Sequence, residues 1–240
     1  MSAVVYLGPS LPVPAAAEEL EAEYLPPIAR GDLAEILRRP VLPRAIGIID
    51  GKFLSTLCVS PKEVLEVVDR GIKVFGSSSM GALRAAECHH WGMVGVGKIF
   101  EAYRTGEVDA DDEVAIAFDE ETGAPVSEPM VNLRVAVRAA LESGVVRAAT
   151  AEAFLQAAKD IYFPQRTARA TLLAIRGRVP EDEHAALSRY FATDAPDAKA
   201  DDARLLLRTM RDYLAGNQGQ KVERALGVHR GGVPLAAQAG

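Results

Sequence analysis

The chain has 240 residues, 49% of them hydrophobic and 25% charged, with a net charge of −6. That length supports one large domain or two small ones, with a sizeable core in either case. The acidic balance and the lack of a basic block argue against a nucleic-acid partner. No apolar run approaches the roughly 18 residues that span a bilayer. The N-terminus enters AVVYLG with no basic segment and no small-residue cleavage site, so no secretory signal is expected. Cys58 and Cys88 make no disulfide framework, which points to a reduced, cytoplasmic protein. His89, His90, His184 and His229 are too scattered for a metal-ligand spacing, and neither a metal nor an organic cofactor is expected.

In chain order, Ala3 to Leu7 (AVVYL) reads as a buried strand that ends in the turn Gly8-Pro9-Ser10. A helix starts near Pro14, and Glu23 to Leu25 forms a short strand. Asp32 opens a second helix that stops before Pro40. Ala45 to Ile49 is the next apolar strand, ending in Asp50-Gly51. Ser60-Pro61-Lys62-Glu63 then opens a helix with a capping box, Ser60 as N-cap and Glu63 three residues on. Lys73 to Phe75 is a strand, followed by the turn Gly76-Ser77-Ser78-Ser79 and a helix from Met80 to about Trp91.

These strands are apolar throughout rather than alternating, as in a parallel sheet covered on both faces. In such sheets ligands bind beyond the carboxyl ends of the strands. Ser10, Asp50-Gly51 and the serine turn would then share one edge. Gly92 to Gly97 reads as a glycine-spaced loop and Val114 to Phe118 as an extra strand. Asp109, Asp111, Asp112 and Glu113 are an acidic cluster without calcium-loop spacing, more simply a solvated turn. From Pro129 onward the apolar spacing is helical, with helices near 129–143, 148–161, 165–176, 181–191 and 200–215. Arg204, Arg208 and Arg211 line one face of the last, expected to be solvated. The tail after Gly216 is expected to be mobile. The fold class is therefore α/β: a short, mostly parallel buried sheet with flanking helices, followed by a mainly α-helical half. The two regions are 1–128 and 129–240, the second either separate or packed on the first.

The serine turn carries the chemistry. A hydroxyl at a helix start lies beside unpaired N–H groups and the positive end of the helix dipole. Ser79 can be a nucleophile there, with the N–H groups of Met80 and Gly81 as oxyanion donors; equally, it can be a plain N-cap. The pattern is not the G-x-S-x-G of α/β-hydrolases. His89 and His90 are about three turns away from Ser79, which leaves a serine/lysine pair as the fitting alternative. Lys62, in the first turn of its helix, is the candidate base, because dipole and burial would both favour a neutral amine. A solvated surface lysine is the competing reading. Arg84 could reach an anion near the turn or simply pair with Glu87 three residues on.

Eight ordered segments carry a family resemblance: YLGPSLP (Tyr6 to Pro12), YLPPIARGD (Tyr24 to Asp32), AIGIIDG (Ala45 to Gly51), PKEVL (Pro61 to Leu65), SMGALRAAE (Ser79 to Glu87), GMVGVGKIFEAY (Gly92 to Tyr103), DDEVA (Asp111 to Ala115) and SEPMVNLR (Ser127 to Arg134). Together they resemble the TfuA-like proteins over about the first 135 residues. The resemblance implies a partner of a YcaO enzyme, which activates a backbone amide with ATP so that its oxygen is replaced by sulfur in a ribosomally made peptide. It implies that the TfuA-like partner hydrolyses a protein thiocarboxylate of the ThiS type to release sulfide, and helps YcaO engage its peptide. It also implies a serine/lysine pair, which the motifs map onto Ser79 and Lys62; where the family often has an aromatic residue or His before that lysine, this chain has Pro61. Ser10, Asp50, Gly51 and Arg84 are candidates for lining the substrate channel. The alternatives are a non-catalytic adaptor that docks YcaO and promotes binding of its peptide, and a small-molecule hydrolase that needs no partner.

Overall fold

A computed structural model describes residues 3–53, 57–119, 122 and 124–216. His229 and the rest of the tail after Gly216 lie outside the described residues, as do parts of the 120–127 loop.

The expected alternation of strand and helix forms a five-stranded parallel sheet of order β2-β1-β3-β4-β5. The strands are β1 (Ala3–Tyr6), β2 (Glu23–Leu25), β3 (Ala45–Ile48), β4 (Lys73–Gly76) and β5 (Val94–Gly95). Val5, Gly47 and Phe75 lie side by side across the central strands. The order reverses between β1 and β3, and a crevice opens at such a point beyond the strand ends.

Both sheet faces are covered, which explains the apolar strands. Val4, Tyr6, Ile46, Ile48 and Val74 face α2 (Asp32–Leu37), α3 (Pro61–Asp69) and α4 (Met80–Cys88). Ala3, Val5, Leu7, Ala45 and Phe75 face α1 (Val13–Glu19) and α10 (Ala198–Leu214). In α10 the side chains of Leu206, Leu207 and Met210 are fully buried, each worth about 1.5–3 kcal/mol of apolar burial. A Cβ on Gly47 would come within 2.7 Å of Met210 Sδ, so the small residue in β3 admits the helix.

Between these, α5 (Lys98–Thr105) packs beside α4 and α10. The helices α6 (Met130–Glu142), α7 (Ala148–Asp160), α8 (Ala168–Ile175) and α9 (Glu181–Thr193) share a third apolar cluster around Phe154, Val137 and Leu187. The second half of the chain thus makes a helical layer and then returns, through α10, to complete the sheet.

Three local expectations are corrected. The glycine-spaced loop contains β5, a strand of two residues that is too short to show a period. Val114 to Phe118 is not a strand: a 3-10 turn spans Asp111–Glu113, and Phe118 makes only an isolated bridge to Pro125. Arg204, Arg208 and Arg211 are not simply solvated. Arg208 makes a two-bond pair with the Glu19 carboxylate (2.6 and 2.8 Å), and Arg211 donates to the Glu19 carbonyl, tying α10 to the end of α1.

Candidate active site

The ends of β1, β3 and β4 converge as the topology requires. Asp50, 2% exposed, accepts hydrogen bonds from Gly8 N (2.9 Å), Ser10 N (3.1 Å) and Ser10 Oγ (2.6 Å), closing the crevice between β1 and β3. The serine turn is bent sharply after β4. Ser78 takes φ 65°, a left-handed conformation uncommon outside glycine. Gly81 lets α4 start directly against the sheet, since a Cβ there would lie 1.7 Å from Ile48 O.

The three serines have different partners. Ser77 Oγ donates to the Asp202 carbonyl at 3.2 Å. Ser78 Oγ lies between Ser10 Oγ (3.0 Å) and the Lys199 carbonyl (2.9 Å). Ser79 Oγ receives Lys199 Nζ at 3.1 Å. All three therefore meet the first turn or two of α10, and Ser79 lines a cavity.

That cavity, about 470 Å³, is lined by Asp50, Gly51, Lys52, Ser79, Lys199 and an apolar wall that includes Phe53, Phe118 and Phe163. Behind Lys199 lies a second cavity of about 270 Å³, bordered by Ser10, Glu128, Asn132 and Asp197; Pro9, Ile116 and Lys199 border both.

Lys199 is 3% exposed. Its Nζ also donates to Val114 O (3.2 Å) and lies 3.8 Å from Asp50 Oδ1. Burial drives its pKa below the ordinary lysine range, against the opposing pull of Asp50 and Asp197. The amine's two hydrogen-bond acceptors are Ser79 Oγ and Val114 O, while Asp50, at 3.8 Å, is a charge neighbour rather than an acceptor. The Ser79 hydroxyl itself donates to Val114 O at 3.4 Å.

Lys62 is not brought to Ser79. It is exposed on α3, next to Pro61, whose carbonyl faces Cys88 Sγ. Cys88 ends α4, roughly 13 Å from its start. The capping box itself forms, with Ser60 and Glu63 bonded reciprocally. Arg84 pairs with Glu87 on its own helix and does not line the cavity. Of the two expected oxyanion donors, Gly81 N is committed to Ile49 O at 3.2 Å, whereas Met80 N has no hydrogen-bond partner among the described residues. Gly51 N is likewise unpartnered among them, and Gly51 lines the cavity.

The acidic cluster is solvated only in part: Asp109 and Asp111 are exposed, whereas Asp112 and Glu113 are paired. Asp112 and Glu113 bind Arg166, Lys159 and Arg134. Arg166, 1% exposed, also donates to the Ala158 and Asp112 carbonyls. This lattice fixes the segment that presents Val114 O and Ile116. Among the described residues no group of three or more metal-type side chains is placed to hold an ion.

A family model for TfuA-like proteins matches residues 50–167. The chain belongs to the TfuA-like family. The match takes in Asp50 and Ser79, while Ser10 and Lys199 lie outside it. Membership associates this TfuA-like chain with YcaO-dependent thioamidation. A comparison with curated proteins finds no match. No helix among the described residues is long and apolar enough to cross a membrane.

Lys199 is the residue missed by sequence reading. Its signal was present: Asp197 caps α10 by accepting from Ala200 N, and Lys199 sits in the first turn, where a cation is disfavoured. Helix dipole and burial act together on Lys199, whereas Lys62 has the helix position without the burial.

Proposed function

We propose that this TfuA-like protein is a serine/lysine hydrolase that releases sulfide from a protein thiocarboxylate of the ThiS type for a YcaO partner acting on a peptide in the cytoplasm. The single observation that carries the reading is the buried contact of 3.1 Å between Lys199 Nζ and Ser79 Oγ, at the inner end of a cavity. A structural N-cap needs no desolvated lysine, and burying an amine is costly unless it is used or neutralised.

In the proposed reaction Ser79 Oγ attacks the acyl carbon and its proton passes to Lys199. The unpartnered N–H groups of Met80 and Gly51 serve the oxyanion. The lysine ammonium then protonates the sulfur, the C–S bond breaks, and hydrosulfide leaves with the electron pair. The Ser79 ester remains. Lys199 next takes a proton from water, which attacks that ester and frees the carboxylate and Ser79. A nucleophile only 2% exposed is reached by a thin extended tail, not by a folded surface.

The test is sulfide release from a thiocarboxylated ThiS-type protein by the native chain, Ser79→Ala and Lys199→Ala. Release that falls at least about 10²-fold in both variants supports the hydrolase. Release that is absent in the native chain, with tight binding to a YcaO enzyme intact, would point instead to the adaptor.

A further inference from the structure

Lys199 reaches Ser79 because the start of α10 is held in place: Ser77 and Ser78 bond its carbonyls, and one side chain from the helical layer bonds its cap and the Lys199 N–H. Asn132, on α6, accepts from the Lys199 backbone N–H at 3.1 Å through Oδ1. Its Nδ2 donates to Asp197 Oδ1 at 2.9 Å, the same oxygen that caps Ala200 N at 3.0 Å. The amide thus grips both the cap of α10 and the residue that carries the amine. An amide suits this position because it supplies an acceptor and a donor from one rigid group without adding charge.

We propose that Asn132 is a positioning residue for Lys199, fixing the amine against Ser79; the proposal rests on the serine/lysine reading above for its catalytic consequence. The alternative, that Asn132 merely glues two helices, gives it no influence on Lys199 itself. Several observations favour the positioning role. Asn132 borders the rear cavity behind Lys199 but not the front cavity that contains Ser79. Its loss therefore leaves the substrate's walls intact while loosening the first turn of α10, which keeps its bonds to Ser77 and Ser78. The charged groups around the amine come from several elements: Asp50 from the end of β3, Asp197 from its own helix cap, Lys52 on the front cavity and Glu128 on the rear one. If the turn moves outward, Lys199 gains solvent, and the desolvation that favours its neutral form is lost.

The test uses the full chain labelled with ¹³C-lysine, with the Lys199 signal assigned by its loss in Lys199→Met. The Cε shift is followed against pH in the native chain and in Asn132→Ala. The expected result is an upward move of the Lys199 midpoint in the variant. With a thiocarboxylated ThiS-type probe, kcat falls about 10²-fold, as for small misplacements of a reacting group, with KM little changed. An unchanged Lys199 midpoint in folded Asn132→Ala overturns the proposal. If Asn132→Ala does not fold, Asn132→Asp replaces it: this variant keeps an acceptor for Lys199 N–H but loses the donor to Asp197. An Asp variant with native midpoint and native kcat likewise overturns the positioning role. Should the native chain release no sulfide, the hydrolase reading falls while the titration still decides whether Asn132 positions Lys199.

Discussion

Lys199 Nζ donates to Ser79 Oγ across 120 residues of sequence, and both side chains are almost fully buried. The contact joins the start of α4 to the start of α10. Two helix N-termini therefore point at one place, where their positive ends favour a developing oxyanion and disfavour a protonated lysine. Under the hydrolase reading, Ser79→Ala and Lys199→Met both lose sulfide release by about 10²-fold or more. Lys62→Ala and Lys62→Arg stay within about twofold of native, since exposed substitutions away from a site have small effects. Steady-state sulfide assays on the four variants check this, and a Lys62→Ala enzyme as impaired as Lys199→Met would sink the assignment.

The lowered pKa of Lys199 gives the pH dependence its sign. If the neutral amine is the base, kcat/KM rises with pH through the lowered Lys199 pKa and levels off above it. Stability follows the same group. Because the folded-state pKa lies below that of the unfolded chain, the unfolded state binds more protons between the two values, and stability rises with pH across that window. Below it, the fold carries a buried ammonium. Lys199→Met accordingly flattens this part of the stability profile and gains most over native at the low-pH side. Urea midpoints at a series of pH values measure this; parallel profiles for the two proteins would contradict it.

Much of the site was readable from the sequence because it lies at strand ends. The apolar runs around Val5, Ile46 and Val74 located the sheet, and the turns after them located Ser10, Asp50 and Ser79 on one edge. What could not be read was long-range. Lys199 comes from a helix that has few distinguishing residues at its start and packs back on the sheet after 120 residues. Val114 to Phe118 has strand-like composition, but Arg166, Arg134 and Lys159 hold the preceding acids and impose an irregular path. Gly81 was a sound expectation as an oxyanion donor by position alone; only the carbonyl of Ile49, from a neighbouring strand end, takes its N–H away.

Asp202 offers a test of how α10 is anchored. Its carboxylate, 4% exposed, accepts from Lys98 N (2.9 Å) and Ile99 N (2.8 Å), capping α5 from another helix. Gly97, at φ 98°, makes room for it: a Cβ there would lie 2.2 Å from Asp202 Cγ. Asp202→Ala leaves one buried and one part-buried amide donor unsatisfied and should cost about 2–4 kcal/mol. Chemical denaturation reads this directly; a loss below about 1 kcal/mol would mean that water replaces the cap at little cost.

Gly81 tests the close approach of α4 to the sheet. A methyl group at this position would sit 1.7 Å from Ile48 O and 3.3 Å from Gly76 Cα, both backbone atoms that cannot swing aside. Gly81→Ala therefore forces the start of α4 away from β3 and β4. Because Ser79 immediately precedes that start, the displacement separates its hydroxyl from Lys199 as well as breaking the Gly81 N to Ile49 O bond. Overpacking of this kind costs about 1–3 kcal/mol or more. Sulfide release should fall further than the stability loss alone explains, because any protein that remains folded carries a misplaced nucleophile. A folded Gly81→Ala chain with native turnover would show that the helix start is not what sets the Ser79 geometry.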